Sequence, residues 1–224
     1  AACKKAKVGL GTAFPCRYGP AFIEVENMVQ KGELGDVLAI KGTNRGRNPG
    51  GWFVDPELSG GGATMDHTVH VADLMRRLTG AEVAEVVCEM DTFFNPELEC
   101  DDAGLISMQF TDGCIGTLDC SWSRPPHFPV WGDATMAVVG SKGNAWIDLF
   151  REHIDVYNNA DRSYLWQAYG SNTDYNLVAD FCECVETGRP VPITGYDGLK
   201  AMEVALAAYE SAQQGGAVAL PLCE

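Results

Sequence analysis

A chain of 224 residues is long enough for one large domain or two small ones. Its composition, 46% hydrophobic and 21% charged with no apolar run of 18 residues, argues against a membrane protein. Sixteen Lys and Arg against 31 Asp and Glu, a net charge of −15, leave no cationic surplus to neutralise phosphates, which excludes nucleic acid as the main partner.

The opening "AACKKAKVGLGTAF" reads as a short basic helical tail running into an apolar strand, Val8 to Phe14. An αβ unit without a preceding strand is expected to be the remnant of an N-terminal α/β domain, residues 1–15, leaving 16–224 as the main domain. Pro20 then starts a helix whose apolar positions run from Phe22 to Val29, with Gly32 as its stop. A strand follows over roughly Asp36 to Arg45, and "GRNPGGWFVDPELSGGG" reads as a polar loop leading to the stretch 60–80. Short strands are expected at Val83 to Thr92, Gly104 to Phe110 and Ile115 to Trp122, with a turn at Asp112 and Gly113. A second hairpin turns at Ser141 to Gly143, and "HIDVYN" adds a further strand. Two helices, about Thr173 to Thr187 and Tyr196 to Gln213, precede a final strand at Ala217 to Leu220. Consecutive antiparallel strands with flanking helices predict an α+β fold, a mostly antiparallel open sheet with helices on one face.

Nine cysteines, an odd number without a leading signal segment, point to a reduced, cytoplasmic setting. Cys182 and Cys184 stand two apart on an expected helix and face different sides, which is poor geometry for a shared metal. No metal site is expected.

The stretch "GGGATMDHTVHVADLMRRLTG" carries the chemistry. At about 100° per residue, Asp66, His70 and Asp73 fall on one stripe between two apolar flanks, so the helix is expected to be largely buried with its polar stripe on a cleft. A stripe facing water is the plainer reading, and Arg77 near the same stripe supports it. Gly60, Gly61 and Gly62 favour the cleft, because three residues without a Cβ let a ligand approach backbone and leave the first-turn N–H groups open. Upstream, Ser59, Asp55 and Trp52 are candidates to line the cleft, with Trp52 as an apolar wall for a sugar-like ring. His67 lies about 100° from Asp66 and is read as packing or support.

"GELGDVLAIKGTNRG" followed by "GGGATMDHTVHVADL" resembles the C-terminal domain of the glucose-fructose oxidoreductase and inositol dehydrogenase family (Gfo/Idh/MocA). "GTAFPCRY" looks like the last strand and exit of that family's Rossmann domain, and "GYDGLKAMEVALAAYESAQQGGAVALP" like its closing helix and strand. The resemblance implies an NAD- or NADP-dependent oxidoreductase acting on a sugar, cyclitol or similar polyol. It makes Asp66 and His70 catalytic, together with a lysine of the Rossmann domain, and brings Arg17 to the edge of the active site. Asp73 joins Arg17 and Trp52 as a substrate-side candidate, its other reading being structural. The family's Gly-x-Gly-x-x-Gly fingerprint and its Glu-Lys-Pro segment are absent from the sequence, so the main cofactor site is expected upstream of residue 1 and the chain alone is expected to be inactive.

Two further readings stand beside this one. One is a metal-dependent hydrolase or isomerase using Asp66, His67, His70 and Asp73. The other is a non-catalytic assembly domain, since a homodimer or homotetramer through the sheet face is expected in either case. Trp122, Trp131, Trp146 and Trp166, with the "RPPHFPVWGD" loop, are candidates to shape the cleft or a subunit contact.

Overall fold

The computed structural model describes residues 2–222. Its strands are β1 (Val37–Gly46), β2 (Val83–Asp91), β3 (Ala103–Phe110), β4 (Ile115–Asp119), β5 (Gly132–Gly140), β6 (Asn144–Asp148), β7 (His153–Asn158), β8 (Ser163–Ala168) and β9 (Val218–Ala219). Its helices are α1 (Ala2–Ala6), α2 (Pro20–Gln30), α3 (Pro56–Ser59), α4 (Ala63–Thr79), α5 (Thr173–Thr187) and α6 (Gly195–Gln214). Seven strands join one sheet in the order β6-β5-β1-β4-β3-β2-β9, and β7 and β8 form a separate hairpin. Within the large sheet β1 runs parallel to β4, while the other neighbouring pairs are antiparallel. The α+β architecture therefore matches the expectation from the strand pattern.

Alternation along the strands decides which face is covered. β3 buries Ile106, Met108 and Phe110 and turns Leu105, Ser107 and Gln109 outward. Those inward residues meet Phe22 of α2, Val71, Leu74 and Met75 of α4, and Ala207 and Ala208 of α6 in one core. Each large side chain so buried contributes about 1.5–3 kcal/mol relative to exposure. Helix α4 lies close on β1 because Gly42 has no side chain; a Cβ there would stand 2.7 Å from Val71 Cγ1 and 2.8 Å from Met75 Cε. Helix α6 packs against α4 and β2 through the small residues Ala201, Ala205, Ala207 and Ala208. It is started by a capping box in which Thr194 and Asp197 satisfy each other's backbone N–H groups.

The fold departs from the sequence reading in five places. Val8 to Phe14 forms no strand: Gly11 makes one isolated bridge to Thr194, and Val8 and Leu10 stay exposed, because no neighbouring strand offers them a ladder. β4 ends at Asp119 rather than Trp122, where the Asp119 carboxylate accepts from the N–H and hydroxyl of Ser121 and the Trp122 N–H turns to Asp102 O. The loop before Gly60 holds a 3-10 turn, Gly51–Val54, and helix α3. β8 pairs fully with β7, a partner that the sequence reading lacked. β9 is confined to Val218–Ala219, shorter than the final strand expected there.

The eight cysteines among the described residues are all unpaired; Cys182 is exposed and Cys184 buried, as expected for residues two apart on a helix. Among the described residues no helix is long and apolar enough to cross a membrane.

Candidate active site

Helix α4 is fixed at its start by Asp101. Asp101 Oδ1 accepts the Gly62 N–H at 3.0 Å, Oδ2 accepts the Thr64 N–H at 2.7 Å, and the Asp101 carbonyl takes the Ala63 N–H at 2.9 Å. The Tyr209 hydroxyl also meets the Gly62 N–H, at 2.8 Å, and donates to Asp101. A Cβ on Gly62 would stand 1.9 Å from Asp101 O, so glycine is required there by the approach of residue 101. The expectation that these glycines expose first-turn N–H groups to a ligand is therefore corrected: a carboxylate of this chain already fills the helix end. Asp55 is likewise the N-cap of α3, accepting from Glu57 N, and Ser59 Oγ donates to Gly61 O.

Along α4 the polar stripe does not face water. Asp66 keeps 21% of its side chain exposed, His70 is half-buried, and Asp73 is fully buried. Trp122 Nε1 donates to Asp66 Oδ2 at 3.2 Å. His67 Nε2 lies 3.2 Å from the same oxygen, in ion-pair reach but off the line of a hydrogen bond. Burial alone would push the Asp66 carboxyl up; His67, Trp122 and His70 more than offset it and hold it below its ordinary value. Burial pushes the His70 imidazole down, and His67 adds to that, against the opposing charges of Asp66 and Asp174. The ring of His70 sits edge-on to Phe14 at 5.9 Å, and its Nδ1 has no hydrogen-bond partner. An ionised carboxylate and a neutral imidazole, four residues apart on one helix, are the result.

Arg17 and Asp73 lie in a different environment. Arg17 Nε and Nη2 grip Asp73 Oδ2 and Oδ1 at 2.6 and 2.5 Å, and Nη2 reaches Asp197 Oδ1 at 2.9 Å. Burial works against the Arg17 charge, but the bonds to Asp73 and Asp197 more than offset it and hold the guanidinium above its ordinary value. Arg76 extends the network to Glu82 through two bonds of 2.6 Å. The geometry bonds Asp73 and Arg17 to each other, the arrangement that the structural one of Asp73's two readings calls for. Arg77 leaves the stripe to pair with Glu26 of α2 at 2.5 Å.

Trp52 is 56% exposed and stacks on Phe53 at 4.0 Å. Phe53 packs against the cluster of Ala63, Cys100 and Trp122, which ties this loop to the wall behind Asp66. Sequence reasoning left the roles of Trp122 and His67 undeveloped. Trp122 follows β4 by a few residues and has no spacing relation to α4. His67 is next to Asp66, but helical angles describe Cα directions and not where a long side chain ends. Asn44, whose Nδ2 donates to His67 O at 3.1 Å, gave no signal at all.

A concavity of about 1090 Å³ lies on the open sheet face, with Arg45, Arg124, Asp133, Phe128 and Trp146 in its lining; Asp66 and His70 are not part of it. Among the described residues no three His, Cys, Asp or Glu side chains converge as metal ligands. Of the set suggested for a metal enzyme, Asp73 is drawn away by Arg17.

Comparison with known proteins places the chain among oxidoreductases of one family. An uncharacterized oxidoreductase, YrbE, of Bacillus subtilis strain 168 is 30% identical over 98% of the chain and 65% of its own length. The myo-inositol 2-dehydrogenase of Thermotoga maritima is 29% identical, over 97% of the chain and 66% of its own length. The chain therefore spans about two thirds of these relatives, slightly less in each case. Among solved structures, GenD2 from gentamicin A biosynthesis, in complex with NAD, superposes with a TM-score of 0.88 at 26% identity, covering 98% of the chain and 66% of that structure. Residues 22–146 match the family model of the GFO/IDH/MocA C-terminal domain. That span is more than half of the chain and contains the whole of α4 with its Asp66 and His70, and the chain belongs to the Gfo/Idh/MocA family.

Proposed function

We propose that the chain is the substrate-binding and catalytic half of an NAD- or NADP-dependent oxidoreductase acting on a sugar, cyclitol or similar polyol. Relatives named as inositol dehydrogenases, one of them NAD-dependent, support the substrate class and the cofactor. The observation that carries the reading is that α4 sets two groups one helical turn apart, a part-exposed Asp66 carboxyl held below its ordinary pKa and a half-buried His70 imidazole pushed down.

A bound oxidised nicotinamide would supply the hydride acceptor for oxidation at a carbinol carbon. Loss of hydride requires the hydroxyl proton to leave as well, and neutral His70 takes it, directly or through a lysine supplied by an upstream dinucleotide-binding domain. Asp66 orients the substrate through its hydroxyls and favours the imidazolium as it forms. The described residues fit this proton half of the reaction and not the phosphate half. Asp101 occupies the glycine-rich turn before α4, so that helix end is not free for a pyrophosphate; in this proposal the nucleotide is held by a dinucleotide-binding domain outside the chain, and the chain alone is expected to be inactive.

The test is fluorescence titration of NADH and NADPH against this chain and against the full-length protein, followed by turnover on a polyol panel. Binding by the longer protein alone, with turnover on at least one polyol, is expected. A full-length protein that binds neither nucleotide overturns the reading.

Assembly through the open sheet face belongs to the same proposal. Val87, Leu105 and Trp146 are exposed there among Arg45, Arg124 and Asp133, a mixed surface suited to a second copy. Leu105→Glu is expected to lower the sedimenting mass; an unchanged mass removes this face from the assembly.

A further inference from the structure

We propose that His67, acting with Trp122, is a positioning residue that aims Asp66: the two hold carboxylate oxygen Oδ2 and leave Oδ1 to the substrate. The inference rests on the dehydrogenase reading of Asp66 and assigns a duty to a residue that this reading leaves unused.

The argument begins with the cost of placing His67 where it is. Its side chain is 1% exposed, inside the protein, and neither Nδ1 nor Nε2 forms a hydrogen bond among the described residues. A buried imidazole with an orphaned nitrogen is unfavourable unless the ring does something an apolar side chain cannot. What it does is present Nε2 at 3.2 Å from Asp66 Oδ2, the same oxygen that accepts from Trp122 Nε1 at 3.2 Å. No hydrogen bond to Asp66 Oδ1 is formed among the described residues, and the side chain as a whole is 21% exposed. The off-line approach of Nε2 is the geometry expected before substrate arrives, since such bonds tighten in the productive complex.

The ring is fixed from three directions. Trp131 stands edge-on at 5.0 Å and Trp122 edge-on at 6.4 Å, while Asn44 Nδ2 pins the His67 backbone carbonyl at 3.1 Å. Trp131 immediately precedes β5, Asn44 belongs to β1 and Trp122 to the segment after β4. The middle of the sheet, at β5, β1 and β4, thereby determines where Asp66 points. The titratable groups facing Asp66 are His67 and His70, both on its own helix; Trp122 adds a neutral donor from outside it.

His67→Phe, His67→Gln and Trp122→Phe in the full-length protein test the assignment. The readouts are the pH profile of kcat/KM, nucleotide affinity, and the carbon NMR titration of the Asp66 carboxyl, assigned by its loss in Asp66→Asn. His67→Phe is expected to lower kcat/KM by about 10- to 100-fold, the size of a lost bond to a charged group. It should also move both the acid limb and the Asp66 titration to higher pH, with nucleotide affinity unchanged. His67→Gln, whose amide can still donate, should recover most of both effects, and Trp122→Phe should move the titration in the same direction. If His67→Phe does not fold, the Gln and Trp122 variants carry the test. An Asp66 titration unmoved in folded variants overturns the proposal. Absence of turnover in the parent protein overturns the dehydrogenase reading instead, and the NMR titration then judges the link from His67 to Asp66 by itself.

Discussion

The two halves of helix α4 carry the same kinds of residue and put them to opposite uses. In the C-terminal half, Asp73 has both oxygens bonded to Arg17, and Arg76 is bonded twice to Glu82. In the N-terminal half, Asp66 has one oxygen engaged, and Nδ1 of both His67 and His70 has no partner. Both halves have buried residues, Ala63, His67 and Thr68 in the first and Val71, Leu74 and Met75 in the second, so burial alone does not separate them. Charge pairing does: Asp73 and Arg76 are each bonded to an opposite charge, with only Arg76 Nη1 lacking a hydrogen bond, and hold the fold, while a group with an oxygen or ring nitrogen to spare and no such partner is able to take a proton or a hydroxyl.

The contrast is broken most directly by its largest expected effect. Asp66→Asn and His70→Gln in the full-length protein should each lower kcat/KM by about 10²–10⁴-fold, the range for loss of a general acid or base, and leave nucleotide affinity unchanged. Steady-state kinetics on an accepted polyol measures this. Activity within threefold of the parent would place the chemistry elsewhere.

In the paired half the loss should appear in stability instead. Asp73→Ala strands a guanidinium that is 10% exposed, and removing one partner of such a buried pair costs about 3–5 kcal/mol. Calorimetry should show a fall in Tm of about 10 °C or more for a domain of this size. A small fall would mean that Asp197, also bonded to Arg17, suffices to hold the charge.

A smaller effect follows from pH. The His70 pKa is below its ordinary value of 6.5 in the fold, mainly through burial, so the unfolded chain binds a proton at a pH where the folded one does not. Stability therefore falls as pH drops below about 6.5 and goes on falling until the folded imidazole also titrates. The groups that set this are His67 and Asp66 on α4 and Asp174 on α5. His70→Gln should flatten the decline of Tm between pH 7 and 5; an unchanged slope would mean that the imidazole is not the group titrating.

The N-terminal half was the more legible from sequence. Asp66 and His70 repeat at helical spacing between apolar flanks, a local signal that needs no knowledge of the rest of the fold. Asp73 shares that spacing, and its different duty is invisible locally because its partner is 56 residues away in Arg17. The triple glycine misled for the same reason: its neighbour is Asp101, brought in by the loop between β2 and β3. Strand alternation gave the sheet and its covered face. It gave no partner for Val8 to Phe14, since a strand exists only where another lies beside it.

The smallest effect tests whether pairing or burial controls stability within the C-terminal half. Arg77 is one residue from Arg76 and is also paired, to Glu26 at 2.5 Å, but its side chain is 49% exposed. An exposed ion pair gains little, because water screens the charges and two long side chains must be held still, so Arg77→Ala should cost no more than about 0.2–1 kcal/mol. Thermal unfolding at low and high salt measures it, with the small loss shrinking further in salt. If Arg77→Ala instead cost as much as Asp73→Ala, the bond from α4 to α2 would be a main support of the helix, and incomplete pairing near Asp66 would no longer be what distinguishes the two halves.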